Sequence, residues 1–317
     1  MSSPVRVAVI GAGSIAKVAQ LPSLAVATAA GRVKVTGVVT KDVANAERTA
    51  LQFEGCRAFG SLHELLSKDP PEAAFVLTPK ETHAEIAASL LEAEIDVFCE
   101  KPLATTLTDA RRLVELAEKR KRLLMVGFNR RYAPVYVKAK EVFAEQAPLV
   151  CIAQKNRPQT EYRATLENAI HMVDLLRWYC GEAAEINAAS QYLDPYYETT
   201  TLAQLRFVNG ALGVLVAHRQ AGQWTERLEL NGGGRTVMVD APDSVRVICG
   251  DSETVVNMTP LAMGWAEVRD KMGFQGEVDH FVECVRTRET PRTSGADALL
   301  THELMDNILR RAGLPPM

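Results

Sequence analysis

The chain lacks the features that would tie it to nucleic acid, to a membrane or to an oxidising compartment. Its 36 Lys and Arg stand against 39 Asp and Glu, a formal net charge of −3. No basic stripe rises above that balance, so a nucleic-acid footprint is not expected. Nowhere do apolar residues run on for the ~18 positions that a membrane-spanning helix takes. Met1-Ser2-Ser3-Pro4 leads into an apolar strand with no charged segment or cleavage signal before it. Six cysteines (Cys56, Cys99, Cys151, Cys180, Cys249 and Cys284) are scattered without a C-x-x-C pair. That spacing fits neither a disulfide scaffold nor a zinc site, and reduced thiols in a cytoplasmic protein are the expectation. Internal repeats and low-complexity tracts are absent. The short run Lys119-Arg120-Lys121-Arg122 ends a helical pattern, where cations suit the macrodipole.

What is present is a change of rhythm. At 317 residues the chain exceeds what one hydrophobic core usually serves, so two domains are expected. Up to Gly127, strand and helix patterns alternate. Apolar strand-like runs lie at Val5–Ile10, Val33–Val39, Ala73–Leu77, Asp96–Cys99 and Leu123–Gly127. Helical patterns cover residues 15–29, 43–53, 82–93 and 109–122. Ser61-Leu62-His63-Glu64 and Thr82-His83-Ala84-Glu85 read as capping boxes. Such alternation with short connections requires right-handed crossovers and a parallel, doubly wound sheet. After Gly127 come helical patterns at 134–143 and 166–179. Successive strand-like runs then follow from Ala183 to Ile248, with turns at Asn209-Gly210, Gly232-Gly233-Gly234 and Gly250-Asp251. Helices near 275–286 and 296–311 close the chain. The expected architecture is α/β: a Rossmann domain over 1–127, and an α+β domain with an open, mainly antiparallel sheet over 128–317.

Gly11-Ala12-Gly13-Ser14-Ile15-Ala16 sits between the first strand and the first helix, the context that a dinucleotide fingerprint demands. Gly11 permits the tight turn, and Gly13 has no side chain to block a pyrophosphate lying on the helix N-terminus. Ala16 takes the third position, where helix meets sheet. At the end of the second strand, NAD-binding domains place an acid for the ribose 2′-hydroxyl. This chain has Thr40-Lys41, and its first acid, Asp42, comes two residues late. A hydroxyl beside a cation suits a 2′-phosphate, so NADP is expected ahead of NAD.

Thr78-Pro79 with His83 after a strand, then Glu100-Lys101-Pro102, then Gly127-Phe128-Asn129-Arg130-Arg131-Tyr132 resembles the Gfo/Idh/MocA oxidoreductases over essentially the whole chain, most closely their MviM branch. The resemblance implies a substrate cleft between two domains, sugars or cyclitols as common substrates, and an open sheet often used for homo-oligomer contacts. It also implies cofactor contacts from Thr78, Pro79, His83, Glu100, Lys101, Asn129 and Arg130, the last two near the nicotinamide.

Lys101 lies at the carboxyl end of a parallel strand, the edge where open α/β sheets bind ligands. Its ammonium is suited to polarise a substrate oxygen. Glu100 holds Lys101, lines the nicotinamide pocket, or is simply solvated at the strand end. On a helix Glu167, His171 and Asp174 share one face. His171 matches the family's histidine acid/base, with an unperturbed pKa of about 6.5 near neutrality. Glu167 stands where the family usually has Asp, which leaves its role as orienter or second base open. Asp174 is equally readable as a structural hydrogen-bonding group. A metal held by these three fits the spacing, but the resemblance does not call for one and none is expected. Arg157, Tyr162 and Arg163 contact substrate or cover a loop. Trp178 and Trp265 fit core or interface, and His63, His218, His280 and His302 have no partner at readable spacing.

The expected activity is reversible hydride transfer between a nicotinamide and a carbinol or ketone carbon of a polyhydroxylated small molecule. His171 moves the hydroxyl proton and Lys101 stabilises the oxygen. Two alternatives use the same scaffold: a dinucleotide-binding sensor without turnover, and redox-neutral glycoside cleavage with tightly held cofactor.

Overall fold

The β-branched runs of the first half form strands covered on both faces in the computed structural model, which describes residues 3–158, 163–192, 197–258 and 267–317. In chain order come β1 (Val5–Ile10), α1 (Leu21–Ala29), β2 (Val33–Val39), α2 (Val43–Ala50), β3 (Arg57–Phe59), α3 (Leu62–Lys68), β4 (Ala73–Val76), α4 (His83–Glu92), β5 (Asp96–Glu100), α5 (Leu107–Arg120) and β6 (Leu124–Gly127). Then follow α6 (Pro134–Val142), β7 (Val150–Asn156), α7 (Ile170–Cys180), β8 (Ala183–Tyr192), β9 (Glu198–Phe207), β10 (Leu212–His218), β11 (Thr225–Gly232), β12 (Arg235–Asp240), β13 (Ser244–Cys249) and β14 (Ser252–Asn257). Three helices end the chain: α8 (Val268–Lys271), α9 (Phe274–Thr287) and α10 (Gly295–Arg311). Two compact units result, residues 1–129 with 273–299, and residues 130–272 with 300–317.

The first unit is a six-stranded sheet ordered β3-β2-β1-β4-β5-β6, with every pair parallel. Every residue of β4, β5 and β6 is buried, as a parallel sheet between crossover helices requires. The strand order reverses between β1 and β4, which leaves a crevice at their carboxyl ends. α9 belongs to this unit, although the sequence placed everything after Gly127 in the second domain. Phe281 of α9 packs its ring 5.4 Å from Phe75 and 5.8 Å from Phe98, inside the hydrophobic core. Thr293 then pairs with Val126 through both its carbonyl and its hydroxyl, each at 2.8 Å. Core burial and edge pairing thus draw a late segment back to the early sheet.

The first helix opens differently from an uninterrupted α-helix over 15–29. Ser14 and Ile15 open the helix, Ala16–Gln20 widens into a π turn, and α geometry resumes from Leu21. Pro22 supplies the reason: it has no N–H for the carbonyl four residues back, and its ring would crowd that carbonyl. Ser61 caps α3 by accepting from Glu64 N at 3.1 Å. The second expected capping box is not formed. Thr82 instead directs its hydroxyl to Thr78 Oγ1 and Pro79 O, both at 2.9 Å.

The second unit carries an eight-stranded sheet ordered β14-β13-β12-β11-β7-β10-β9-β8, antiparallel except where β10 runs alongside β7. One face is covered: Ala153, Leu205, Leu215, Leu228 and Val237 are all buried. β7 escaped the sequence reading although it lies inside the sheet. Its inward row is Cys151, Ala153 and Lys155, and a lysine at a core position hides the alternation. The expected helix from Leu166 opens as a π turn over Ala164–Ala169 before α7 begins. Among the described residues, no helix is long and apolar enough to cross a membrane.

Candidate active site

In the first unit, the glycine turn forms one wall of a cavity of about 620 Å³ at the crevice between β1 and β4. Residues 11–15, 40–42, 60–62 and 77–79 line it, together with Asn45, Thr82 and Ile86. That size lies in the range of small-molecule and cofactor sites. Gly11 has φ +97°, and a Cβ there would lie 2.8 Å from the backbone C and O of Leu77. No side chain fits between the two turns. A Cβ on Gly13 would meet nothing within 4 Å, so the space beside this backbone is open for a ligand. Ala16 is fully buried where helix meets sheet. These features fit a dinucleotide: Gly13, Ser14 and Ile15 offer backbone N–H groups where a pyrophosphate would lie.

Thr40 is buried and donates to the carbonyl of Asp42. Lys41 is exposed at the cavity edge. Asp42 also lines the cavity, and its carboxylate caps α2 by accepting from Ala44 N at 3.1 Å. Asn45, which no sequence signal marked, donates to Ala12 O at 3.2 Å and ties the glycine turn to α2.

Several residues expected at the cofactor are placed elsewhere. The buried His83 ring spans two turns, with Nδ1 2.7 Å from Pro102 O and Nε2 2.8 Å from Thr78 O. It braces the Lys101-Pro102 turn and does not line the cavity. Glu100 is buried: its Oε1 accepts from Gln20 Nε2 at 2.9 Å and its Oε2 from Lys101 N at 3.3 Å. Of the three readings of Glu100, burial speaks against simple solvation and the bond from Lys101 N favours holding Lys101. The same Gln20 amide donates to the buried Glu277 at 2.8 Å, a link across 257 positions that the sequence hides. Lys101 is half-buried directly after β5. Asn129 is buried in the short 3₁₀ turn after β6.

Arg130, expected near the nicotinamide, is held by a carboxylate far along the chain. Its guanidinium forms a fork with Glu226 in the second unit, Nε–Oε1 at 2.8 Å and Nη2–Oε2 at 2.9 Å. Lys155 Nζ reaches Glu226 Oε2 at 2.7 Å, and Tyr136 Oη donates to Oε1 at 2.9 Å. All four side chains are buried. Burial pushes the Glu226 carboxyl up, but Arg130 and Lys155 outweigh it and hold it well below the carboxylate range. The cluster pins β11 and β7 to α6.

His171 is buried on α7 of the same unit. Glu167 lies in the preceding π turn and accepts from Arg163 N at 2.6 Å, capping its own segment. Glu167 thus lies in a π turn, where the backbone is wider than in an α-helix, and His171 lies in the α-helix that follows it. Asp174 accepts a guanidinium fork from Arg131, at 2.8 and 2.5 Å, and a hydroxyl from Thr301 at 2.9 Å. Of its two readings, the structural one fits. Among the described residues, no three His, Cys, Asp or Glu side chains gather into a metal-binding group. His218 accompanies Thr200 at 2.8 Å, and His280 accepts from Arg292 N at 2.9 Å. Tyr162 and Trp265 lie outside the described residues.

Comparison with known proteins agrees with this geometry. Residues 5–128 match the oxidoreductase family with an NAD-binding Rossmann fold, and residues 151–237 match the Gfo/Idh/MocA C-terminal domain. YceM of Salmonella typhimurium, named as an oxidoreductase, is 31% identical over 248 residues, 76% of this chain and 78% of YceM. Myo-inositol 2-dehydrogenase of Thermotoga maritima is 28% identical over 76% of this chain and 77% of its own. The crystal structure of a dehydrogenase (MviM) from Clostridium difficile superposes with a TM-score of 0.86 at 25% identity, covering 96% of this chain and 99% of that one. Fold, glycine turn and sequence kinship converge, and the chain belongs to the Gfo/Idh/MocA family of oxidoreductases.

Proposed function

We propose that this oxidoreductase uses NADP in preference to NAD and acts on a carbinol or ketone carbon of a sugar-like or cyclitol substrate. The observation that carries the reading is the first unit's cavity, where the open side of Gly13 and the pair Thr40-Lys41 line one space. Gly11 to Ala16 hold the pyrophosphate, and Thr78 and Pro79 form the opposite wall. Thr40 and Lys41 receive a 2′-phosphate, which a carboxylate at the same place would repel. When bound, the nicotinamide supplies or accepts the hydride.

Lys101 donates to the reacting oxygen and stabilises its charge, its turn braced by His83 and its backbone N–H by Glu100. His171 takes or delivers the hydroxyl proton. Glu167, at the start of the same segment, orients His171 or serves as a second base. The myo-inositol activity named for the Thermotoga maritima relative supports a polyhydroxylated substrate.

The test is a titration with NADPH and NADH followed by nicotinamide fluorescence. An exposed ion pair is worth up to ~1 kcal/mol, so Lys41→Ala should weaken NADPH binding about fivefold and leave NADH unchanged. Lys101→Ala should abolish turnover and retain cofactor affinity. Tighter binding of NADH overturns the cofactor assignment, and full activity of Lys101→Ala overturns the role of the lysine.

A further inference from the structure

At the carboxyl end of β7 one guanidinium has a prepared position and, among the described residues, no carboxylate partner. Arg157 follows the last residue of the strand. Its backbone is fixed on both sides, its N–H donating to His218 O at 2.8 Å and its carbonyl accepting from Ala221 N at 2.9 Å. The side chain is fixed too. Nε donates to Asn168 Oδ1 at 3.2 Å, and the guanidinium carbon lies 5.3 Å from the centre of the Trp224 ring. Asn168 is buried and anchored in turn by donating to Lys155 O at 3.2 Å. No carboxylate pairs with Arg157 among the described residues.

The surrounding charge strengthens the point. Both oxygens of the buried Glu226 are taken by Arg130 and Lys155. Lys155 is pushed well below the usual lysine range, by burial first and then by Arg130, with Arg157 adding to the effect. Beside them, the buried indole N–H of Trp224 has no acceptor among the described residues, an incompletely satisfied wall of the kind that polar ligands complete. Asn168 precedes His171 by three residues on one continuous helical segment, so the guanidinium is oriented from the segment that carries the proposed acid/base.

We infer that the substrate carries an anionic substituent, a carboxylate or a phosphate, and that Arg157, stacked on Trp224 and aligned by Asn168, receives it. The inference rests on the oxidoreductase reading above and narrows its substrate to sugar acids or sugar phosphates. With Nε held by Asn168, the terminal nitrogens remain to meet two oxygens of one group, the geometry in which arginine binds carboxylate and phosphate.

The experiment uses sugars matched in ring and differing in charge: D-glucose, D-glucuronate and D-glucose 6-phosphate, and the galactose counterparts. Each is titrated calorimetrically into the full chain saturated with NADPH. At least one anion is expected to bind about tenfold more tightly than its neutral partner, and uronate against phosphate tells which group is read. Arg157→Gln should erase that preference, and Arg157→Lys should keep part of it, as a charge without the fork. The proposal falls if no anion outbinds its neutral partner, or if the preference survives Arg157→Gln in a protein with unchanged circular dichroism. Failure of the hydride reading looks different: the anion binds with Arg157-dependent affinity, yet no sugar changes nicotinamide absorbance with either NADP⁺ or NAD⁺.

Discussion

Removing the charge of Glu226 should be among the most damaging single changes available to the second unit. Glu226→Gln keeps the shape of the side chain but leaves Arg130 and Lys155 facing each other at 6% and 1% side-chain exposure with no compensating charge. Breaking a buried ion pair by removing one partner costs about 3–5 kcal/mol. Here two cations lose their shared acid and Tyr136 loses its charged acceptor, which favours the upper half of that range. Against a typical total of roughly 5–15 kcal/mol, the unit would approach unfolding. The readout is urea denaturation followed by tryptophan fluorescence, because Trp178, Trp224 and Trp265 all fall within residues 130–272. Adding Lys155→Met to Glu226→Gln should recover part of the loss, since one buried cation goes with it. A Glu226→Gln change below ~1 kcal/mol would refute the reasoning and mean that water or relaxation neutralises the cluster. The acid side gives a second check. The folded Glu226 pKa is depressed, so its stabilisation is complete above the unfolded value of about 4.3 and drains away as pH falls below it. Glu226→Gln should remove that part of the pH dependence.

Two glycines of one motif should fail in different ways. Gly11→Ala forces a Cβ against Leu77 at positive φ and should destabilise the first unit by roughly 1–3 kcal/mol, visible as faster hydrogen exchange in β1 and β4. Gly13→Val fits the free protein, should leave that exchange unchanged, and should lower cofactor affinity about tenfold or more by filling the ligand's space. Gln20→Leu removes the amide that bridges Glu100 and Glu277. It should cost roughly 2–4 kcal/mol for two charge-assisted bonds, read by the same exchange experiment. Retained protection would mean that the two carboxylates are held by other groups.

Local pattern decided a great deal. The valine-rich runs of β1 and β2, the glycine turn and the Ser61 cap each depend on neighbours within a few positions, and each is legible in order along the chain. So is the parallel sheet, because strand–helix alternation with short connections admits few topologies. The family motifs marked Lys101 and His171 as positions of interest. What escaped was set by partners far away in sequence. Lys155 reads as a surface residue until Glu226, 71 positions later, comes to meet it, and β7 disappears with that misreading. Nothing near Arg130 in the chain shows that the same carboxylate will hold it. Glu167 lies in a π turn and not in the α-helix that carries His171, and nothing in residue spacing announces that change. The helix α9 joins the first unit because Phe281 completes an aromatic cluster with Phe75 and Phe98. Burial and charge pairing are properties of neighbours in space, so only the tertiary structure decides which polar residues stabilise the core and which remain open to a ligand.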